Sequence, residues 1–176
     1  MKREDNTLGM KKADRGSWAN GLDIPDINRE RVDVLFHAGC RYSYDVDLME
    51  TARNAVTLLK KGGPSAGIAG RDEACCGGRA FETGYRGEMK KYADDMAGRV
   101  KASGARTLVT LCADCYYTFK YLYPKNGISL KVEVLHITEL ADRLIRAGAV
   151  KPKNVMPMKV TYHDPCHLGR LGEPYR

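Results

Sequence analysis

From Val32 onward the chain alternates between short apolar runs and stretches whose apolar residues recur every three or four positions, a pattern that few folds satisfy. Val32-Asp33-Val34-Leu35-Phe36 reads as a strand ending at Gly39-Cys40. Leu48, Met49, Ala52, Ala55, Val56 and Leu59 then share one face of a helix over 47–61, with Asp47 and Glu50 expected at its N-terminal cap and Gly62-Gly63 as its stop. A weak strand over 66–69 leads to Cys75-Cys76-Gly77-Gly78. A second helix is expected over 83–103, with Met89, Tyr92, Met96 and Val100 as its buried stripe. Residues 107–111 form a buried strand ending at Cys112, and 114–123 a helix. The next strand is 132–136, followed by a helix over 139–146 closed by Gly148. Val160-Thr161-Tyr162-His163 reads as a further strand running into Asp164-Pro165-Cys166. Strict alternation of this kind implies an α/β fold, a parallel sheet with helices on both faces joined by right-handed crossovers.

Residues 1–31 read differently. Gly9, Gly16, Gly21 and Pro25 are scattered among charges, as in an extended arm or linker, which Trp18 and Leu22 could pin to the core. The start, Met1-Lys2-Arg3-Glu4-Asp5, has no apolar stretch behind it, and no run approaches the roughly 18 apolar residues of a membrane span. The expectation is a chain without a secretory signal that stays in the cytoplasm. At 176 residues, 43% of them apolar and 29% charged, it has the size of one domain with an appendage. The net charge of +7 is interspersed with acids and forms no basic run, so no nucleic-acid partner is expected.

Six cysteines carry most of the chemical information: Cys40, Cys75, Cys76, Cys112, Cys115 and Cys166. In a reducing compartment, metal binding or redox chemistry is the default use for such a set, and adjacent Cys75 and Cys76 make a poor disulfide pair. Ligands of open α/β sheets bind beyond the carboxyl ends of the strands. Cys40, Cys75, Cys76 and Cys112 are expected there, with Cys115 one helical turn on from Cys112. Helix N-termini at that rim would favour thiolates, and Gly39, Gly77 and Gly78 would let backbone approach a bulky inorganic core. Structural zinc takes four ligands, as does a cubane iron–sulfur cluster. Five thiols leave open a polynuclear centre of unusual shape, or four ligands plus one redox-active thiol. Cys112 and Cys115 could alternatively form a dithiol of thioredoxin type, which leaves the other three cysteines unexplained.

The arrangement of Cys40, then Cys75-Cys76-Gly77, then Cys112-Ala113-Asp114-Cys115, with 34 residues between Cys40 and Cys75 and 35 between Cys76 and Cys112, resembles the CCG cysteine-rich domain. That domain occurs in heterodisulfide reductase B and D subunits and in iron–sulfur subunits of glycolate, lactate and glycerol-3-phosphate dehydrogenases. Gly16-Ser17-Trp18-Ala19-Asn20-Gly21-Leu22 resembles the linker that follows the ferredoxin-like domain of longer members. Tyr162-His163-Asp164-Pro165-Cys166-His167-Leu168-Gly169-Arg170 resembles the opening of a second CCG module. On this resemblance 1–31 is an arm or linker, 32–158 a complete module and 159–176 the start of a second, truncated one. The resemblance implies a non-cubane [4Fe-4S] cluster bound by Cys40, Cys75, Cys76, Cys112 and Cys115, with Cys166 belonging to the second module. The implied function is an iron–sulfur redox subunit, or a fragment of one, that carries electrons and in heterodisulfide reductases acts on a disulfide. The implied partners are ferredoxin-like, flavoprotein or membrane cytochrome subunits, the last placing the chain at the inner face of a membrane. The alternative is a structural zinc or metal-free module that docks dehydrogenase or electron-transfer partners. No catalytic residue is assigned.

His37 and His136 lie within strands and read as core or rim residues, whereas His163 and His167 flank Asp164 and Cys166 and could transfer a proton or act as ligands. Tyr116, Tyr117, Tyr121 and Tyr123 are expected to pack, with one phenol able to donate to a cluster sulfur or a substrate thiol. The glycines do not form a nucleotide-binding loop, because no strand leads into the required spacing.

Overall fold

The computed structural model describes residues 3–171. Four strands, β1 (Val34–His37), β2 (Ala66–Gly67), β3 (Thr107–Thr110) and β4 (Glu133–His136), pair in parallel in the order β2-β1-β3-β4. Leu35 stands opposite Leu108, which stands opposite Val134. Between and after the strands come α1 (Gly39–Tyr44), α2 (Val46–Gly62), α3 (Gly78–Glu82), α4 (Arg86–Ser103), α5 (Ala113–Tyr117), α6 (Tyr123–Lys125) and α7 (Ile137–Arg146).

Each strand is short and buried on both sides, and the two-residue side-chain period divides the apolar residues between two cores. Val34, Phe36, Val109 and Leu135 pack with Ala52, Val56 and Leu59 of α2 and Leu140 of α7. Leu35, Leu108 and Val134 pack on the opposite face with Met89, Tyr92, Met96 and Val100 of α4. The fold is therefore α/β, with helices on both faces of a parallel sheet.

Three local expectations change. The helix expected over 83–103 begins at Arg86 as α4, and a short helix that was not expected, α3, precedes it across a turn at Thr83 and Gly84, with Gly84 at φ +92°. The cap of α2 is Asp45, whose carboxylate accepts the Asp47 N–H, in place of Asp47 and Glu50. No strand forms at 160–163. Val160 and Tyr162 are exposed there, and a lone extended segment with no strand beside it gains no ladder to hold it. The end of the expected second module, 172–176, and residues 1–2 lie outside the described residues.

Residues 3–31 pack closely on the rest of the described chain. Trp18 is buried edge-on against Phe36 with ring centroids 6.0 Å apart, and Arg53 Nη1 donates to Trp18 O at 2.7 Å and to Asn20 O at 3.0 Å. Farther along, Ile27 N–H donates to Ile68 O and Ile68 N–H to Pro25 O, extending the sheet's edge beyond β2. Among the described residues no helix is long and apolar enough to cross a membrane.

Candidate metal centre

Parallel pairing of β1 with β3 sends both chains out of the sheet at the same edge, where β1 runs into α1 and β3 into α5. Cys40 lies in the first turn of α1, Cys112 is the residue that caps α5, and Cys115 is within α5. Cys75 and Cys76 lie just ahead of α3, on the segment that follows β2. These five cysteines line a single cavity of about 370 Å³, together with Thr7, Leu8, Arg41, Arg79 and Asp114. Among the described residues no three or more His, Cys, Asp or Glu side chains are arranged as ligands of one metal ion. The sulfurs stand around a space.

Two glycines make that packing possible. Gly39 has φ +81°, and a Cβ on it would stand 3.1 Å from Cys115 Sγ. Gly78 approaches Thr118 so closely that a Cβ would fall 2.0 Å from its Oγ1, which lets α3 and its preceding cysteine pair seat against α5. That threonine begins a π-helical turn, Thr118–Leu122, that joins α5 to α6. A buried tyrosine, Tyr123, donates its hydroxyl to Cys76 O at 2.7 Å. Of the four crowded tyrosines it is, among the described residues, the one whose hydroxyl reaches a site cysteine, at the backbone carbonyl and not at sulfur.

The thiols hydrogen-bond in sequence, Cys40 with Cys75, Cys75 with Cys76, Cys76 with Cys115 and Cys115 with Cys112. Hydrogen bonds from Cys115 and Cys75 bring Cys76 down to about 5, and Cys115 likewise lowers Cys112. The donors move the other way: the bonds with Cys112 and Cys76 push Cys115 up, and Cys40, which donates to Cys75, is pushed up by that bond and by burial. Gly77 N–H donates to Cys75 Sγ at 3.4 Å. Thiolates of this kind are soft donors that suit zinc or iron–sulfur chemistry and not magnesium or calcium.

Behind the cavity lies a buried polar network that sequence reading missed. Arg15 donates from Nε and Nη2 to Glu73 Oε1 at 3.2 and 3.0 Å. Glu73 also accepts the N–H groups of Ala38 at 2.9 Å and Gly39 at 3.0 Å. His37 Nδ1 lies 3.6 Å from Glu73 Oε2, and its Nε2 is buried without a partner. Burial opposes ionisation of Glu73, yet the charges of Arg15 and, when protonated, His37, with the bonds from Arg15 and Gly39, hold its carboxyl below the usual range. Burial pushes His37 down to about 4, against the attraction of Glu73. Glu73, two residues before the cysteine pair, could have been suspected from its position; nothing in the sequence marks Arg15.

The remaining candidates do not line the cavity. Cys166 is exposed and is not among the residues lining the cavity. His167 sits between two carboxylates, Nε2 2.6 Å from Glu82 Oε1 and Nδ1 2.8 Å from Asp114 Oδ1, and tilts over Tyr117. His163 is exposed. His136 caps α7 and places Nε2 2.8 Å from Leu111 O, tying β4 to the residue before Cys112.

The fold is an open parallel α/β sheet with a five-cysteine cavity beside it. Residues 34–120, which include all five cysteines, match the family model described as CCG, cysteine-rich domain, and this part of the chain belongs to that family. Over 181 residues the chain is 30% identical to an EtfAB:quinone oxidoreductase of Syntrophomonas wolfei, matching 99% of this chain and 25% of that protein. It is 32% identical over 170 residues to the D-type component of the dihydromethanophenazine:CoB–CoM heterodisulfide reductase of Methanosarcina acetivorans, covering 94% of this chain and 40% of that component. It is 27% identical over 183 residues to the probable iron-sulfur-binding oxidoreductase FadF of Bacillus subtilis, covering 99% of this chain and 26% of FadF. The chain thus spans between a quarter and two fifths of the length of these relatives. No solved structure matches it.

Proposed function

We propose that this chain is the cluster-bearing part of an iron–sulfur oxidoreductase subunit, with Cys40, Cys75, Cys76, Cys112 and Cys115 as ligands of a non-cubane four-iron centre. The observation that carries this reading is the convergence of five thiols, from three segments distant in sequence, on one cavity of about 370 Å³. Four ligands would complete a zinc site or a cubane, so the fifth sulfur and the open space between them favour a polynuclear core of another shape. When bound, such a centre supplies one-electron transfer.

The chain's own residues hold the sulfurs apart and oriented, shield four of the five from water and donate to them. Cys40, Cys75, Cys76 and Cys115 are buried, and Cys112 is half-buried toward the mouth. Gly77 N–H and Arg15 Nη2 point at Cys75 and Cys40 sulfurs, the kind of donor that stabilises charge on a ligating thiolate. Relatives named as a heterodisulfide reductase component and a quinone oxidoreductase support the role of a component that exchanges electrons with other oxidoreductase subunits. The family resemblance makes these ferredoxin-like, flavoprotein or cytochrome subunits. A disulfide is the substrate class that the reductase relative supports.

The test is iron, zinc and acid-labile sulfide content, with an electronic spectrum, on protein purified without oxygen. About four irons with comparable sulfide per chain are expected, and less in Cys76→Ser. Zinc near one per chain, or no metal under conditions that load other clusters, would overturn the redox reading and leave a docking module.

A further inference from the structure

We infer that Arg15 sets the reduction potential of the centre proposed above, with Glu73 as its counterweight; the inference rests on that reading of the five cysteines. Arg15 is 1% exposed, and its Nη2 lies 3.7 Å from Cys40 Sγ. The same nitrogen donates to Glu73 Oε1 at 3.0 Å and Ala74 O at 3.1 Å, while Nη1 donates to Asp5 O at 3.1 Å. Bonded on three sides, the guanidinium cannot swing away from the sulfur. Asp5 O also accepts the Cys75 N–H at 3.2 Å, so the arm grips a second ligand by its backbone.

A thiolate-ligated iron centre is negatively charged and gains another negative charge on reduction. A fixed cation touching one of its sulfurs therefore favours the reduced form, and the buried setting screens that effect weakly. The electron arrives from a one-electron donor of the iron–sulfur or flavin class and leaves to the centre's acceptor. No covalent bond in the chain changes. Arg15 stays protonated throughout, so no proton moves at this residue. Glu73 acts in the opposite sense. Its oxygens are turned toward Arg15 and the amides of Ala38 and Gly39, leaving the guanidinium as the charge that contacts Cys40.

The experiment is a potentiometric titration of the oxygen-free chain with dithionite and mediator dyes, followed by electron paramagnetic resonance. Arg15→Gln is expected to lower the midpoint and Glu73→Gln to raise it. Each shift should be on the order of a tenfold change in the reduced-to-oxidised ratio at fixed potential, about 59 mV for one electron. Arg15→Lys, which keeps the charge but not the fork of donors, should fall between Arg15→Gln and the parent. Structural loosening would move the variants in one direction together. Iron bound throughout with coincident midpoints, or shifts of the same sign, overturns the inference and leaves the iron–sulfur reading standing. If Arg15→Gln retains no iron, Glu73→Gln decides, and an unchanged or lowered midpoint there overturns the inference. A parent chain that takes up no iron overturns that reading, and the inference with it.

Discussion

Glu73 Oε1 accepts the backbone N–H of Gly39 at 3.0 Å, and so joins the cysteine pair's approach segment to the turn that presents Cys40. The other carboxylate oxygen takes the Ala38 N–H at 2.9 Å. Two parts of the site distant in sequence are thus fastened without any sulfur taking part. The shape of the cavity is held by backbone amides, one carboxylate and one guanidinium.

Removing that carboxylate should be costly. Glu73→Ala leaves the Arg15 guanidinium buried without its counter-ion and strands two amides. Breaking a buried pair from one side costs about 3–5 kcal/mol. Urea unfolding of the oxygen-free chain measures it. Glu73→Gln should lose less, because its amide oxygen still accepts one of the two N–H groups. A Glu73→Ala loss below about 1 kcal/mol would show that the network does not hold the turn.

Gly39→Ala tests the approach of the α1 turn to α5. An alanine must adopt a φ of +81°, at about 1–2 kcal/mol, and place its methyl 3.1 Å from Cys115 Sγ. The expected result is less metal bound per chain with the far-ultraviolet circular dichroism retained. Equal metal content in variant and parent would mean that this contact is unnecessary for the site.

Gly78→Ala should be destabilising by about 1–3 kcal/mol, because the added Cβ falls 2.0 Å from Thr118 Oγ1. The clash is with one hydroxyl, itself bonded to Asp114 O at 2.7 Å. Thr118→Ala removes that oxygen at the cost of its hydrogen bond. The double variant should therefore be more stable than the sum of the two single losses predicts, and thermal unfolding of all four chains completes the cycle. Strict additivity would place the strain elsewhere.

The sheet was legible because each strand is a short apolar run and each long helix a three-and-four repeat, both local signals. The cysteine cavity was legible for a related reason: parallel topology delivers strand ends to one edge, so spacing along the chain becomes proximity in space. Arg15 gave no such signal. It sits among charges in a segment without periodicity, and its partner Glu73 is 58 residues away. The turn at Thr83 and Gly84, which starts α4 at Arg86, was hidden because Phe81 and Met89 are apolar on both sides of Gly84, and the repeat reads through it. Val160-Thr161-Tyr162-His163 shows the converse, since strand-forming residues there have no neighbouring strand with which to pair.

His37 should make stability depend on pH. Its ring is wholly buried, edge-on to Phe119 with centroids 5.0 Å apart, and faces Glu73 at 3.6 Å. Burial pushes it down from 6.5 to about 4; Glu73 opposes this, and the charges of Arg15 and Arg99 add to it. Between those values the unfolded chain binds a proton that the folded chain refuses. Stability is then complete above about pH 6.5 and falls as the pH drops through 4, by about 3 kcal/mol for the whole interval. Glu73, also held low, contributes a loss of the same sign farther into acid. His37→Phe cannot be protonated and keeps an aromatic ring against Phe119. Its urea-unfolding free energy should therefore change much less than the parent's between about pH 7 and pH 4. Parallel profiles for the two chains would assign the slope to another group and leave His37 as packing alone.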